Sequence, residues 1–440
     1  MLSRLGSHLD MAFQLVDDLL DIWGDPEITG RSAGSDLRRR QKSLPVVAVL
    51  MSGVGARFAQ LMELISDRIP SCSRSRKVDA MAHYVIPPLY HPTLPRCHPD
   101  VDLINLRTME WMRGMGFCPT TADENAVSNI MAGDLAAHWF PEQPTDRVQW
   151  ISDIWCFVAH LDDLRLEVGE TSPISLGRLI AQMALIVANH RTYSAESMDT
   201  PILAALYDIT DRAHQLGGEV RAARYTGGFG FWLLSVLADT TDRDVLSPAD
   251  FLRMRFISVG APFMLDIANI VCPQAVSAET WHDPKFVAAG YAAMMTATLD
   301  NDMISYGKER HCADTTGKWP SASTVRFWEV GNYDTGAAFA KTADYRNRFM
   351  CLWQHLRAEL RPEVSSESNT YLDALDLIIA GSLQHHLTGS RYHNPDGRHP
   401  HAVTFDINYT SACPVTDHSP PASSVAWWWD QLSRRLHRAL

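Results

Sequence analysis

The chain has 440 residues, 46% of them apolar, and a formal charge of −12; it is long enough for one large or two ordinary domains, and it lacks the Lys/Arg-rich tract that a nucleic-acid surface needs. An uninterrupted apolar run of roughly 18 residues, enough for a membrane span, is absent, and Met1–Leu20 carries Asp10, Asp17 and Asp18 where a signal peptide would be apolar, so a soluble, cytoplasmic protein is expected. The cysteines at 72, 97, 118, 156, 272, 312, 351 and 413 form no C-x-x-C pair and keep no regular spacing, which predicts neither a zinc site nor a disulfide framework.

Residues 1–70 form a first segment. Phe13-Gln14-Leu15-Val16-Asp17-Asp18-Leu19-Leu20-Asp21 has helical period, with Asp17 and Asp21 on one face, and Gly24-Asp25-Pro26 ends it. A loop from Thr29 to Leu37 then leads to Lys42-Ser43-Leu44-Pro45. This stretch resembles the second aspartate-rich region of isoprenyl diphosphate synthases. Those enzymes need a first aspartate-rich motif well upstream, and only sixteen residues precede Asp17. One carboxylate cluster cannot hold metal from both sides of a diphosphate, so no prenyl-elongating activity is expected of this segment. It is either the remnant of a fused synthase or the start of a chain that lies inside a longer reading frame.

Pro70 breaks the pattern, and a Ser- and Arg-rich linker is expected over 71–84. His83 to Asp100 contains five prolines and cannot be one helix; an irregular arm laid over a domain is expected. His83, His91 and His98 are unevenly spaced and predict a loop surface rather than a metal site. Val101–Met115 and Ala126–Phe140 have helical pattern, with Trp111, Trp139 and Phe140 among them.

Trp150, Ile151, Ile154, Phe157, Val158 and Leu161 recur at three and four residues, the period of a helix with one apolar face. That helix ends in Leu161-Asp162-Asp163-Leu164-Arg165-Leu166-Glu167. Asp163 and Glu167, four apart, share a face, with Asp162 beside them. Helices are expected at Thr171–Asn189, Met198–Gly217 and Glu219–Leu237. The cluster Gly227-Gly228-Phe229-Gly230 in the last lacks the context of a phosphate loop, so a helix interruption or a close packing point is expected. Ser247-Pro248-Ala249-Asp250 is a strong helix start, and the helix runs through Arg255 toward Gly260.

The next helix, about Lys285–Glu309, places Asn301, Ser305 and Glu309 at i, i+4 and i+8. An amide oxygen, a hydroxyl and a carboxylate in one row suit a hard cation such as Mg²⁺ rather than zinc. Lys308 beside them supplies a charge that binds phosphate. The chain then stays polar and Gly-containing from 311 to 340, and an irregular insertion or damage to the helix behind the metal face is expected there. Helical pattern returns at Tyr345–Leu360 and Tyr371–Leu387 before Arg391-Tyr392. Residues 396–440, with Trp427-Trp428-Trp429, form an extension, either packed on a partner or loose.

Asp162-Asp163-Leu164-Arg165-Leu166-Glu167, Arg255 at 46 residues before Asn301, Asn301-Asp302-x-x-Ser305-x-x-Lys308-Glu309 and Arg391-Tyr392 stand in the order of four motifs of class I terpene synthases. Over roughly residues 85–395 the chain resembles the microbial members of that family. The resemblance implies an all-α helical barrel around a central cavity, and Mg²⁺, three ions in all. Asp162 and Glu167 would hold metal on one side and Asn301, Ser305 and Glu309 on the other. It implies that Arg255 senses the diphosphate, that Lys308, Arg391 and Tyr392 grip it, and that Asp163 pairs with Arg391. A helix break at Val259-Gly260 would aim the Val259 carbonyl at the substrate, and Ser258 stands where the family often has Asp. Phe157 would line the cavity, where aromatic faces stabilise a carbocation without donating a nucleophile. The expected substrate is a linear prenyl diphosphate, farnesyl diphosphate slightly ahead of geranylgeranyl diphosphate, with a homodimer left open. The alternatives are an isoprenyl diphosphate synthase and a catalytically silent binding protein of the same fold.

Overall fold

The computed structural model describes residues 82–163, 173–239, 246–317, 319–320 and 322–432. The helix expected at Phe13–Asp21, most of the linker, Glu167 and the basic run Arg434–Arg438 lie outside the described residues. By its internal contacts the chain divides into Met1–Val78 and Asp79–Leu440, with no division at the expected boundary of 395.

A strand, β1 (Ala82–Tyr90), opens the described chain. Helices follow: α1 (Val101–Gly114), α2 (Thr121–Ile130), α3 (Ala132–Trp139), α4 (Thr145–Leu161), α5 (Pro173–Asn189), α6 (Pro201–Asp239), α7 (Pro248–Ser258), α8 (Ala261–Val271) and the short α9 (Ala278–His282). Next come α10 (Pro284–Ile304), α11 (Tyr306–Thr316), α12 (Thr324–Val330), α13 (Thr335–Leu360), α14 (Ser366–Thr388) and the single turn α15 (Ser390–His393). Strand β2 (Val403–Thr410) and α16 (Ala426–Trp429) end it.

The long helices start where the sequence supplies caps. Ser247, Asp283, Asp334 and Ser365 each accept a backbone N–H three residues on, opening α7, α10, α13 and α14. The two helices expected on either side of Gly218 are both present: α6 is two helical segments joined across a non-helical kink at Gly218, φ 67° and ψ 173°. The glycine cluster lies within α6 and is no phosphate loop. Gly228 is a close approach: a Cβ there would sit 3.0 Å from the Phe263 Cα on α8. Two guanidinium groups hold the C-terminal end of α8, Arg147 donating to the Ile270 carbonyl and Arg221 to those of Asn269 and Cys272.

Helix α10 is buried along most of its length and packs against α13 and α14, its small residues Ala288, Ala289, Gly290, Ala292 and Ala293 allowing the approach. A buried ion pair, Arg346 to Asp300 at 2.8 and 3.1 Å, crosses from α13 to α10. Arg346 also donates to the Tyr90 carbonyl, and Asn347 bonds both Tyr90 N and the Pro88 carbonyl. These contacts seat the proline-rich arm on the helices.

Four expectations are corrected here. The arm is not wholly irregular, since β1 pairs in parallel with β2. His98 is buried, bonded to the Gln143 carbonyl, rather than on a loop surface. A disulfide joins Cys351 on α13 to Cys413. The stretch 311–340 is largely helical, in α11, α12 and the start of α13. Among the described residues one segment, Pro248–Val271, is apolar and long enough for a membrane span, but it is 72% buried in the fold and broken at Gly260.

Candidate active site

Asp162, Arg255, Val259, Asn301, Ser305, Lys308, Glu309 and Arg391, expected from the sequence, line one cleft. Four separate stretches of chain deliver them. The Asn301–Ser305–Glu309 row survives a change of helix: α10 ends at Ile304 and α11 begins at Tyr306, but Ser305 N still bonds the Asn301 carbonyl and Glu309 N the Ser305 carbonyl. Ser305 Oγ donates to Glu309 Oε1 at 2.7 Å. Burial pushes the Glu309 carboxyl up to about 7, against the Ser305 bond, which favours the ionised form.

Arg255 is 6% exposed and lies flat against the next residue of the same motif. Its Nε and Nη2 both donate to Asp302 Oδ1, at 2.8 and 2.6 Å, its Nη2 reaches Asn301 Oδ1 at 3.3 Å and its Nη1 reaches Ser258 Oγ at 3.3 Å. The other Asp302 oxygen accepts from Thr324 N and Thr324 Oγ1, at the first turn of α12. The polar insertion therefore clamps the helix that carries Asn301 from behind. Val259 ends α7, and Gly260, with φ 80°, turns the chain into α8. A left-handed residue at that break is one that glycine adopts without strain.

Arg391 clasps Asp163, Nε to Oδ2 at 2.9 Å and Nη2 to Oδ1 at 2.6 Å, and Lys308 Nζ reaches Asp163 Oδ1 at 3.1 Å. Burial would raise the Asp163 carboxyl, but Arg391 and Lys308 together outweigh it and hold the group well below the usual carboxylate range. Asp162, 3.5 Å from Arg391, faces the cleft. Tyr392 is fully buried behind it, its hydroxyl accepting from Arg391 at 3.4 Å. It supports Arg391 and does not line the cleft as expected.

Phe157 is likewise placed elsewhere. It is buried beside Phe117 and lines a separate cleft with His160 and Leu179, because it points from the face of α4 opposite to Trp155 and Val158. The aromatic wall of the main cleft is Trp139, Trp155 and Trp232, with Met264, Met294 and Ile378. Trp232 follows the glycine cluster and has no motif to mark it. His386 also lines the cleft; its only sequence signal is a His-His pair inside an apolar helix, five residues before Arg391. Burial, with Arg391 nearby, lowers the His386 imidazole to about 3.

The donor set suits a hard divalent cation. Among the described residues no three His, Cys, Asp or Glu side chains converge, so the Asn301–Ser305–Glu309 row depends on amide and hydroxyl oxygens beside one carboxylate. All three are oxygen donors, and a buried carboxyl such as Glu309 is compensated by a cation.

Residues 153–364 match the family described as terpene synthase family 2, C-terminal metal binding, and residues 1–82 match polyprenyl synthetase. The diterpene cyclase DtcycA of a Streptomyces species is 34% identical over 365 residues, 80% of this chain and 97% of that protein. Phomopsene synthase of Allokutzneria albata is 26% identical over 78% of this chain and 96% of its own. The geranylgeranyl diphosphate synthase of Mycobacterium tuberculosis is 59% identical over 51 residues, 15% of its length. Among solved structures, the SVS_A2 protein from ancestral sequence reconstruction superposes with a TM-score of 0.66 at 23% identity, over 78% of this chain and 98% of that one. Hedycaryol synthase in complex with nerolidol gives 0.56 at 17% identity, over 68% and 99%.

Proposed function

This chain belongs to the terpene synthase family and is an enzyme of the terpene cyclase type, and on that premise we propose that it ionises geranylgeranyl diphosphate and cyclises the resulting cation to a diterpene hydrocarbon or alcohol. The observation that carries the reading is the convergence of Asp162, Asn301, Ser305 and Glu309 with Arg255, Lys308 and Arg391 on one cleft walled by Trp139, Trp155 and Trp232. Family frequency alone favours the fifteen-carbon farnesyl diphosphate; the 34% identical relative named as a diterpene cyclase supports the twenty-carbon substrate instead.

Asp162, with Glu167, and Asn301, Ser305 and Glu309 would hold the Mg²⁺ ions that the family resemblance implies, and the ions would supply positive charge against the departing diphosphate oxygens. Arg255, Lys308 and Arg391 supply donors to the same oxygens. Arg255 can exchange its bonds to Asp302 and Asn301 for bonds to the diphosphate, and Ser258 and Val259, at the break that follows, would feel that exchange. The tryptophan faces exclude water and stabilise the cation. Residues 1–82 share a short stretch with a prenyl-elongating enzyme, and no elongation is assigned to them.

Purified protein with Mg²⁺ should convert geranylgeranyl diphosphate to a cyclic product seen by gas chromatography–mass spectrometry. Asn301→Ala/Ser305→Ala should abolish it. Turnover of farnesyl diphosphate alone would reverse the chain-length assignment, and no product from either would sink the cyclase reading.

A further inference from the structure

Asn301 has a problem that Ser305 and Glu309 do not. An amide has an oxygen and an NH₂ group of nearly equal size, and only the oxygen can ligate a cation. A half-turn of the side chain would present two hydrogens to the ion instead. Something has to fix the amide.

Its two neighbours do so together. Arg255, which can only donate, reaches Oδ1 at 3.3 Å. On the other end Nδ2 lies 3.4 Å from His386 Nε2. An imidazole nitrogen that carries no proton is an acceptor, and it accepts from NH₂ but not from a carbonyl oxygen. With its proton on Nδ1, His386 therefore demands the same orientation as Arg255 does. We propose that His386 is a positioning residue for the cation site: it accepts from Asn301 Nδ2 and leaves Oδ1 as the atom offered to the ion.

The surroundings of His386 support this role over that of a core filler. Its ring packs edge-on against Tyr392, centroids 4.8 Å apart, and is 4% exposed. Its second nitrogen, Nδ1, has no partner among the described residues. Burying such a nitrogen is costly, and an apolar side chain of that volume would avoid the cost. The hydrogen bond to Asn301 is the polar contact that the ring makes there.

The inference rests on the reading of Asn301 as a metal ligand, and the test separates the two. The full chain is titrated with Mn²⁺ in the presence of inorganic diphosphate, with free Mn²⁺ followed by electron paramagnetic resonance and folding by circular dichroism. His386→Leu should weaken Mn²⁺ binding roughly 10-fold, the usual scale for removing a partner of a metal ligand. In the Asn301→Asp background the same change should cost less than about twofold, because a carboxylate offers oxygen whichever way it is turned. An equal loss in both backgrounds would show that His386 acts by packing alone, and an unchanged affinity in folded His386→Leu would also overturn the proposal. If the parent chain takes up no Mn²⁺ with diphosphate, the metal reading of Asn301 fails first and this role with it.

Discussion

Asp266 on α8 is 7% exposed, close to Gly228 across the α6–α8 contact, with Arg224 as the nearby charge. Burial raises its carboxyl to about 7, and Arg224 offsets only part of that rise. In the unfolded chain an Asp titrates near 4. Between these values the folded protein keeps a proton that the unfolded chain has lost, so this group's contribution to stability is complete below about pH 4 and lost as pH rises through about 7. Asp266→Asn keeps the shape and removes the charge. Thermal melts should show the variant more stable than the parent at pH 8 by roughly 2–4 kcal/mol, with the gap narrowing to about half of that or less at pH 5 and closing only below about pH 4. A constant gap across that range would mean that the ionised carboxylate costs nothing where it lies. The contrast with Asp163 is instructive: that side chain is partly exposed and has two cations in hydrogen-bond reach, and its shift goes the other way.

Between elements, a close constraint on the helix that carries Glu309 comes from the tail of the chain. Gly307 lies between Ser305 and Glu309, and a Cβ added to it would fall 2.4 Å from Val403 Cγ1, at the start of β2. Val403 is 3% exposed, so it has little room to yield. The absence of a side chain at 307 is thus what lets β2 pass beside α11. Gly307→Ala should destabilise the protein by about 1–3 kcal/mol through overpacking. Val403→Ala alone should also destabilise it, by leaving a small cavity. The pair should be less harmful than the sum, because the new methyl group occupies the space the valine vacates, and denaturant unfolding of the four proteins measures that coupling. Strict additivity would mean that the two residues do not touch.

At the scale of the whole molecule, the sequence carried what is local and lost what is distant. Asn301, Ser305 and Glu309 were legible because helical spacing alone puts them in a row, and Ser247-Pro248 marked the start of α7 because capping is a matter of three neighbouring residues. Trp155 rather than Phe157 faces the main cleft, a choice between two faces of one helix that depends on what packs against each. The pairing of β1 with β2 joins Ala82 to Val403, and the Cys351–Cys413 bond, the Arg348–Asp417 ion pair and the seat of α16 join α13 or its neighbours to the tail; no spacing rule spans such distances. These contacts make the extension, expected to be either packed on a partner or loose, a strap on the chain's own helices. Among its buried residues is Trp428, 4% exposed, whose ring meets Phe256 on α7 at 5.8 Å, Tyr291 on α10 at 5.7 Å and Phe349 on α13 at 5.5 Å. Phe256 adjoins Arg255, and α10 ends three residues past Asn301, so one indole touches the helix that carries Arg255 and the helix that carries Asn301. Trp428→Ala should therefore cost about 3–5 kcal/mol, the range for emptying a large aromatic site in a packed core. Trp427, 38% exposed, is the internal control, and its replacement by Ala should cost about 1 kcal/mol or less. Urea unfolding of the two variants decides the matter: equal, small losses would mean that the tail rests on the helices without holding them together.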